Sequence, residues 1–342
     1  MSTADVARDA RRAVLEFLRS EERFVTVTHE HPDGDAIGSL VAATRMLLAM
    51  GKDVVAVVAP GDLPLSREYA GLATVDLVTE IPDDIHERTA LFLDCGTLDR
   101  MPVGPIRTDA LRILNVDHHH DNTRFGDIDL VDSGASSTVE ILWDLLRELE
   151  VPVDLDTAKA LYVGLVTDTG QFMWENTGER AHRMAADLIG LGVDSFAVYR
   201  TLYEGAPWAK LALLGRALER TRREEEGQLT FTLLRREDYD STGAEDTDSE
   251  GIIDHLRTVA GTRLAAVARE VVFGADDGPA RPGEPGVVRT KVSLRSTGSG
   301  LDVSTIARAG GGGGHPQAAG FTTDMGEEEL VEFLSSHLRE LR

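Results

Sequence analysis

The chain holds a single cysteine, Cys95, among 342 residues. No intrachain disulfide can form, and a reducing cytoplasm fits that usage. Apolar runs are short, none near the ~18 residues of a membrane span, so no membrane partner is expected. The first twenty residues mix charges with apolar residues at helical spacing. They lack the uninterrupted apolar core of a secretory leader. No internal repeat is evident. Positive charge is also scarce: 35 Lys and Arg stand against 59 Asp and Glu, a net charge of −24. A groove that tracks a long nucleic acid needs basic residues along its length, so this field argues against long strands as partners. It does not exclude a small phosphate ester, because bound metal ions reverse the sign locally.

With 42% apolar and 27% charged residues the composition is globular, and the length favours two domains. Residues 24–28, 54–58, 90–93 and 111–116 read as strands. Residues 37–48, 137–149, 157–166 and 179–191 read as helices, with Gly51 a C-cap of the first and Asp156 an N-cap of the third. Strands alternating with helices imply a mostly parallel sheet covered on both faces, with ligands outside the carboxyl ends of the strands. From about residue 211 the pattern changes. A helix (211–223), a half-buried strand through Leu229, Phe231 and Leu233, a helix (252–259), two strands (264–273 and 287–294) and a closing helix from Glu327 form a second α/β domain. The expected division is 1–190, a linker at 191–212, and 213–342. The Gly- and Pro-rich segment 274–286 reads as a surface loop.

Four acidic and histidine motifs sit at the ends of these elements. His29-Glu30-His31-Pro32-Asp33-Gly34-Asp35 lies at a strand-to-helix junction, where Gly34 lets Asp33 and Asp35 face one site and a helix N-terminus faces an anion. Asp94 ends an apolar strand and suits a carboxylate bridging two cations. Cys95 beside it reads as a small buried residue within an oxygen-rich set. Asp117-His118-His119-His120 follows another strand, with one histidine suited to metal, its neighbour to substrate, and Asp117 to orienting an imidazole. Asp168 closes a helix at the negative end of its dipole, a placement that a bound cation explains. Two divalent ions held this way clamp a phosphoryl group well. In the second domain, Arg295-Ser296 ends a strand. Gly310 to Gly314 and His315 form a run whose backbone amides can approach a phosphate, with the arginine and histidine as further phosphate partners.

With these motifs the chain resembles the DHH/DHHA1 phosphoesterase family, named for Asp117-His118-His119. His29 to Ala36, Asp94 and Asp168 resemble its other N-terminal motifs. Ser293-Leu294-Arg295-Ser296 and Gly311 to His315 resemble the DHHA1 motif. The likeness is greatest to the compact nanoRNase and pAp phosphatase branch. It implies an N-terminal DHH domain with a mostly parallel sheet flanked by helices, a smaller C-terminal α/β DHHA1 domain, and an active cleft between them. It implies two Mn²⁺ per chain, replaceable by Mg²⁺ or Co²⁺. One would be held by His29, Asp33 and Asp94, the other by Asp35, Asp94, His118 and Asp168. His119 is expected near the scissile phosphate and is the best choice of general acid. Arg295, Ser296, Gly312, Gly313, Gly314 and His315 would hold the substrate.

The activity implied is hydrolysis of short oligoribonucleotides from the 3′ end and removal of the 3′-phosphate of 3′-phosphoadenosine 5′-phosphate (pAp). Cyclic or linear dinucleotides such as c-di-AMP or pApA are further substrates within the branch, and a homodimer is the implied assembly. Two other readings use the same residues. A pyrophosphatase or exopolyphosphatase needs a similar metal set, and a nucleotide-sensing module could retain the site without turnover. Metal-dependent turnover separates the last from the others.

Overall fold

The computed structural model describes residues 3–101, 104–274, 286–297, 300–314 and 316–341. The chain divides into two compact units, Met1–Gly205 and Ala206–Arg342. The span expected as a linker carries the helix Ser195–Tyr203 and the start of the helix Trp208–Glu219.

Among its described residues the first unit has six strands: β1 (Arg23–Val27), β2 (Asp53–Val57), β3 (Leu77–Val78), β4 (Thr89–Leu93), β5 (Arg112–Asp117) and β6 (Ile128–Val131). They form one sheet in the order β3-β2-β1-β4-β5-β6, with every pairing parallel. The crossovers and flanks are α1 (Thr3–Ser20), α2 (Gly34–Ala49), α3 (Gly104–Asp109), α4 (Thr138–Glu148), α5 (Leu155–Asp168), α6 (Glu179–Gly190) and α7 (Ser195–Tyr203). The buried stretches of β1 and β4 are apolar apart from Thr26 and Thr89, because helices cover both sheet faces. The chain leaves β1 toward β2 on one side and returns to β4 on the other, so the topological switch point lies between β1 and β4. A crevice outside the carboxyl ends of the strands is expected there. Register does the rest: Val27 pairs with Phe92 and Leu93 with Val116. His29, Asp94 and Asp117 therefore leave neighbouring strands at nearly the same height.

Helix α5 starts with Asp154, not Asp156, at its N-cap. The Asp154 carboxylate accepts from the Thr157 amide at 2.9 Å, and Asp156 falls in the first turn. Gly51, at φ +79°, follows the end of α2. Helices α2 and α5 cross closely at two glycines. A Cβ on Gly38 would lie 2.5 Å from the Ala160 carbonyl oxygen, and one on Gly164 would lie 2.6 Å from a Val139 methyl and 2.9 Å from Asp35 Oδ1.

The second unit has a mixed sheet. It is built from β7 (Arg222–Glu224), β8 (Leu229–Leu234), β9 (Leu264–Phe273), β10 (Val287–Ser296), β11 (Gly313–Gly314) and β12 (Ala318–Thr323), in the order β11-β12-β10-β9-β8-β7. Only β8 and β9 pair in parallel. Its helices are α8 (Trp208–Glu219), α9 (Arg236–Thr242), α10 (Ile252–Arg257), α11 (Val303–Ala309) and α12 (Glu327–Glu340). One apolar core lies against α11 and α12, the other against α8, α9 and α10. This two-sided cover corrects the expectation of a half-buried β8, since all six of its residues are buried. The alternating threonines tolerate this because their hydroxyls are paired. Thr230 Oγ1 meets Thr262 Oγ1 at 2.6 Å and Thr232 Oγ1 donates to the Ala217 carbonyl at 2.8 Å. Most of the 274–286 loop, residues 275–285, lies outside the described residues, as does His315. Among the described residues no helix is long and apolar enough to cross a membrane.

The α2–α5 crossing generates a stability prediction. Gly38→Ala should cost about 1–3 kcal/mol, the usual range for overpacking against backbone that cannot move aside. A chemical-denaturation midpoint equal to that of the unsubstituted protein would show that the crossing gives way freely.

Candidate metal centre

Asp33 is the N-cap of α2. Its Oδ1 accepts from the Asp35 and Ala36 amides at 3.1 and 3.0 Å, which fixes the carboxylate. Asp35, in the first turn, is buried. Its two oxygens accept from the Thr138 and Val139 amides at 2.6 and 3.0 Å, the first free N–H groups of α4. Asp94 follows β4 with φ at +55°, an unfavourable conformation for a residue with a Cβ and one found at functional sites. The Thr138 hydroxyl donates to Asp94 Oδ1 at 3.0 Å.

Around Asp94 the histidines gather. His29 Nε2 is 3.8 Å from Asp94 Oδ2, while His118 Nε2 is 3.6 Å from Oδ1 and 3.3 Å from Asp168 Oδ2. Three overlapping sets have donor atoms within 4.8 Å of one another: His29, Asp33 and Asp94; Asp35, His118 and Asp168; Asp94, His118 and His119. All six residues expected to hold metal are brought together, with Asp94 common to two sets. The donors are imidazole nitrogens and carboxylate oxygens, the chemistry a hard or borderline divalent cation requires.

Outer partners fix the rings. His29 Nδ1 lies 2.7 Å from the Glu30 carbonyl, and donation there leaves Nε2 facing Asp94. His119 Nδ1 meets Asp117 Oδ1 at 2.7 Å, and Asp117 also accepts from the His118 amide at 2.9 Å and from the Asn122 side chain. Asp117 is thus a carboxylate behind the histidines. His120, to which no role attached, is exposed. Cys95 is buried, its thiol pushed up to about 12 by burial, and it donates to the Thr97 carbonyl rather than joining the donor sets.

Electrostatics show what the cluster lacks. Burial, then the Asp168 and Asp33 charges, push the Asp35 carboxyl well above the usual range. Burial, then Asp35 and Asp33, do the same to Asp94. Asp168 is pushed up to about 8 by burial and then by Asp94 and Asp33. Burial, with Arg100 nearby, lowers His29, and burial with His119 lowers His118. His119 behaves oppositely. Burial works against its charge, but the Asp117 hydrogen bond and the Asp94 charge prevail and raise it to about 9. Crowded carboxylates that cannot all ionise and imidazoles held neutral suit a site completed by cations.

Sequence reasoning missed the supporting groups. Thr138 and the α4 amides were detectable only as a Ser-Ser-Thr helix start, and Asn122 carried no mark. Arg100, whose Nη2 lies 3.1 Å from His29 Nδ1, also went unread. In the second unit, Arg295 is half-buried, with Nη1 donating to the Leu294 carbonyl at 3.1 Å. Ser296 is buried, its hydroxyl 3.4 Å from the Pro316 carbonyl oxygen. Gly313 and Gly314 form β11, paired with Gly320 and Ala319, and a Cβ on Gly312 would strike the Gly320 carbonyl oxygen at 2.1 Å.

A histidine–aspartate centre at the carboxyl edge of a parallel sheet, followed by a second α/β unit, is the construction of a metal-dependent phosphoesterase. Residues 23–165 match the DHH family N-terminal domain, and residues 240–341 match the DHHA1 domain. A Thermus thermophilus protein named bifunctional oligoribonuclease and PAP phosphatase NrnA is 33% identical, over 96% of this chain and 94% of its own. A Bacillus subtilis protein of the same name is 26% identical, over 89% of this chain and 91% of its own. The solved structure of an exopolyphosphatase-related protein from Bacteroides fragilis superposes with a TM-score of 0.80 at 22% identity, covering 97% of this chain and 96% of that one, a likeness of fold. The chain belongs to the DHH/DHHA1 phosphoesterase family.

The shifted groups make stability pH-dependent. Asp168 and His119 hold protons in the metal-free fold, up to about pH 8 and 9, that the unfolded chain releases near 3.8 and 6.5. Their stabilising effect is complete below the unfolded values and is lost as pH rises through the folded ones. His29 and His118, lowered, act the other way but only below about pH 6.5. The chelated protein should therefore lose melting temperature from about pH 6.5 to 9. A divalent cation should remove that loss, because it replaces the protons. Thermal scans with and without chelator check this; a chelated profile that climbs across the window would contradict it.

Proposed function

We propose that this chain is a Mn²⁺-dependent phosphohydrolase that shortens oligoribonucleotides of a few residues from the 3′ end and removes the 3′-phosphate of pAp. The observation that carries the reading is Asp94, shared between two donor sets at the switch point of a parallel sheet. The names of the Thermus thermophilus and Bacillus subtilis relatives support the substrate class. His29, Asp33 and Asp94 would hold one ion, and Asp35, Asp94, His118 and Asp168 the other. Such ions supply neutralisation of phosphoryl charge and a more acidic water.

The chain's own groups then have definite work. The Asp117 carboxylate holds the His119 imidazole by Nδ1 and favours its protonated form, so His119 Nε2 can donate a proton to the leaving oxygen. Thr138 and the α4 amides hold Asp94 and Asp35 in place before substrate arrives. Arg295, Ser296, Gly312 to Gly314 and His315 act on substrate. A cytoplasmic homodimer is part of the same reading, and the lone buried thiol of Cys95 suits a reducing compartment. Turnover of pAp, RNA of two to ten nucleotides, c-di-AMP and pyrophosphate with Mn²⁺ tests the whole. Preference for pyrophosphate would favour the pyrophosphatase reading, and no turnover of any would favour a sensor.

Two further outcomes follow. Asp94→Asn keeps the Thr138 hydrogen bond but removes the shared charge, so kcat should fall at least about a thousandfold in a folded protein. Metal-dependent activity near the unsubstituted level would remove the bridging role. For chain length, two ions and a few cationic side chains can offset only a few phosphates against a net charge of −24. Efficiency (kcat/KM) should peak at about two to five nucleotides and decline beyond, less steeply at high salt where repulsion is screened. Equal efficiency on a dimer and a ~20-mer at low salt would contradict this charge argument.

A further inference from the structure

The chain leaves Asp168 through an unfavourable turn. Gly170, Gln171 and Phe172 all have positive φ, at 53°, 61° and 67°. For glutamine, and more so for phenylalanine, this region is disfavoured and persists only where the surroundings impose it. Here they do. The Phe172 amide donates to Thr169 Oγ1 at 3.1 Å, and the Met173 and Trp174 amides donate to the Thr169 carbonyl at 3.0 Å. Asn176 Nδ2 donates to the carbonyls of both Asp168 and Ser136 at 2.9 Å. The Phe172 ring turns inward and stacks on His182 at 5.2 Å.

The next two side chains turn outward. Met173 is 83% exposed and Trp174 is 49% exposed. The Trp174 ring lies against the Gly170 backbone so closely that a Cβ there would fall 2.2 Å from Cε2 and Nε1. An indole and a thioether are thus held in solvent by a strained, fully hydrogen-bonded turn anchored on Asp168. Neither contributes much burial to the core, so the strain is not offset by packing of these side chains. What the turn achieves is position: the indole rests against the Gly170 backbone with about half of its surface exposed, in a turn tied by Asn176 to the carbonyl of Asp168, one of the donor residues.

We propose that Trp174, with Met173 beside it, is the stacking platform for the nucleobase of a substrate whose phosphate lies at the metal centre. This rests on the phosphohydrolase reading above and adds to it where the base is held. Stacking uses the π face that every base presents, so the platform confers a preference for nucleotides over other phosphate esters without reading base identity. The thioether adds a polarisable contact at the ring edge.

The test uses the full chain with Mn²⁺, and compares pApA with a dinucleotide analogue in which abasic residues replace both nucleosides. Trp174→Ala should raise KM for pApA roughly ten- to a hundredfold and leave kcat/KM for the abasic analogue within about twofold. Trp174→Phe should recover most of the loss, and metal content should be unchanged in both. Independently of turnover, AMP should quench tryptophan emission of the unsubstituted protein, and the quench should vanish in Trp174→Phe, where Trp143 and Trp208 remain. Equal loss on both substrates would assign Trp174 a purely structural role and overturn the proposal, as would an unchanged KM or a quench that survives in Trp174→Phe. If the unsubstituted protein hydrolyses neither dinucleotide and turns over neither pAp nor short RNA, the phosphohydrolase reading fails by itself, and the AMP quench alone then decides the platform.

Discussion

Carboxylates repel one another, and this fold forces several of them together away from water. Asp35 and Asp94 are almost wholly buried; beyond burial, Asp168 and Asp33 raise the proton affinity of Asp35, and Asp35 and Asp33 raise that of Asp94. In a low-dielectric setting that arrangement is stable only if something positive enters or protons stay on. Much of the first unit bears on this point. The parallel register sets His29, Asp94 and Asp117 side by side. The α4 N-terminus lends its amides to Asp35, and the close α2–α5 crossing carries Asp35 toward Asp168. The close fit of Gly164 to Asp35 Oδ1 shows how little slack remains, since even one methyl would press on a donor oxygen.

Much of this was readable because the chemistry-bearing residues lie at element ends. A histidine or aspartate that closes an apolar run is visible in one dimension, and parallel topology guarantees that such ends meet. The parts that could not be read share a different origin. The Thr138 and Val139 amides have no side-chain identity at all. Asn122 works through a contact with Asp117 that its neighbours in sequence do not announce. The N-cap of α5 fell between two aspartates, Asp154 and Asp156, and only the carboxylate's reach to the Thr157 amide chose the first. Strand β8 looked half-polar because Thr230 and Thr232 alternate with leucine and phenylalanine. Their hydroxyls find partners on neighbouring elements, and no local pattern shows that.

The two units differ in the chemistry they present. The first concentrates acidic donors and neutral imidazoles, suited to cations. The second offers a half-buried arginine and a strand of glycines whose pairing with β12 brings backbone to backbone without side chains between. Gly312 and Gly314 are required there by space, since any Cβ would meet the β12 backbone within 2.6 Å.

The division at Gly205 also orders events during synthesis. Every residue of the acidic cluster, from His29 to Asp168, precedes it. A ribosome adding about 5–20 residues per second needs roughly seven to thirty seconds more to complete Ala206–Arg342. During that interval the nascent first unit already carries its full donor set, with no contribution needed from the residues still to come. The donor set is therefore complete, and its repulsion present, before the second unit has been made.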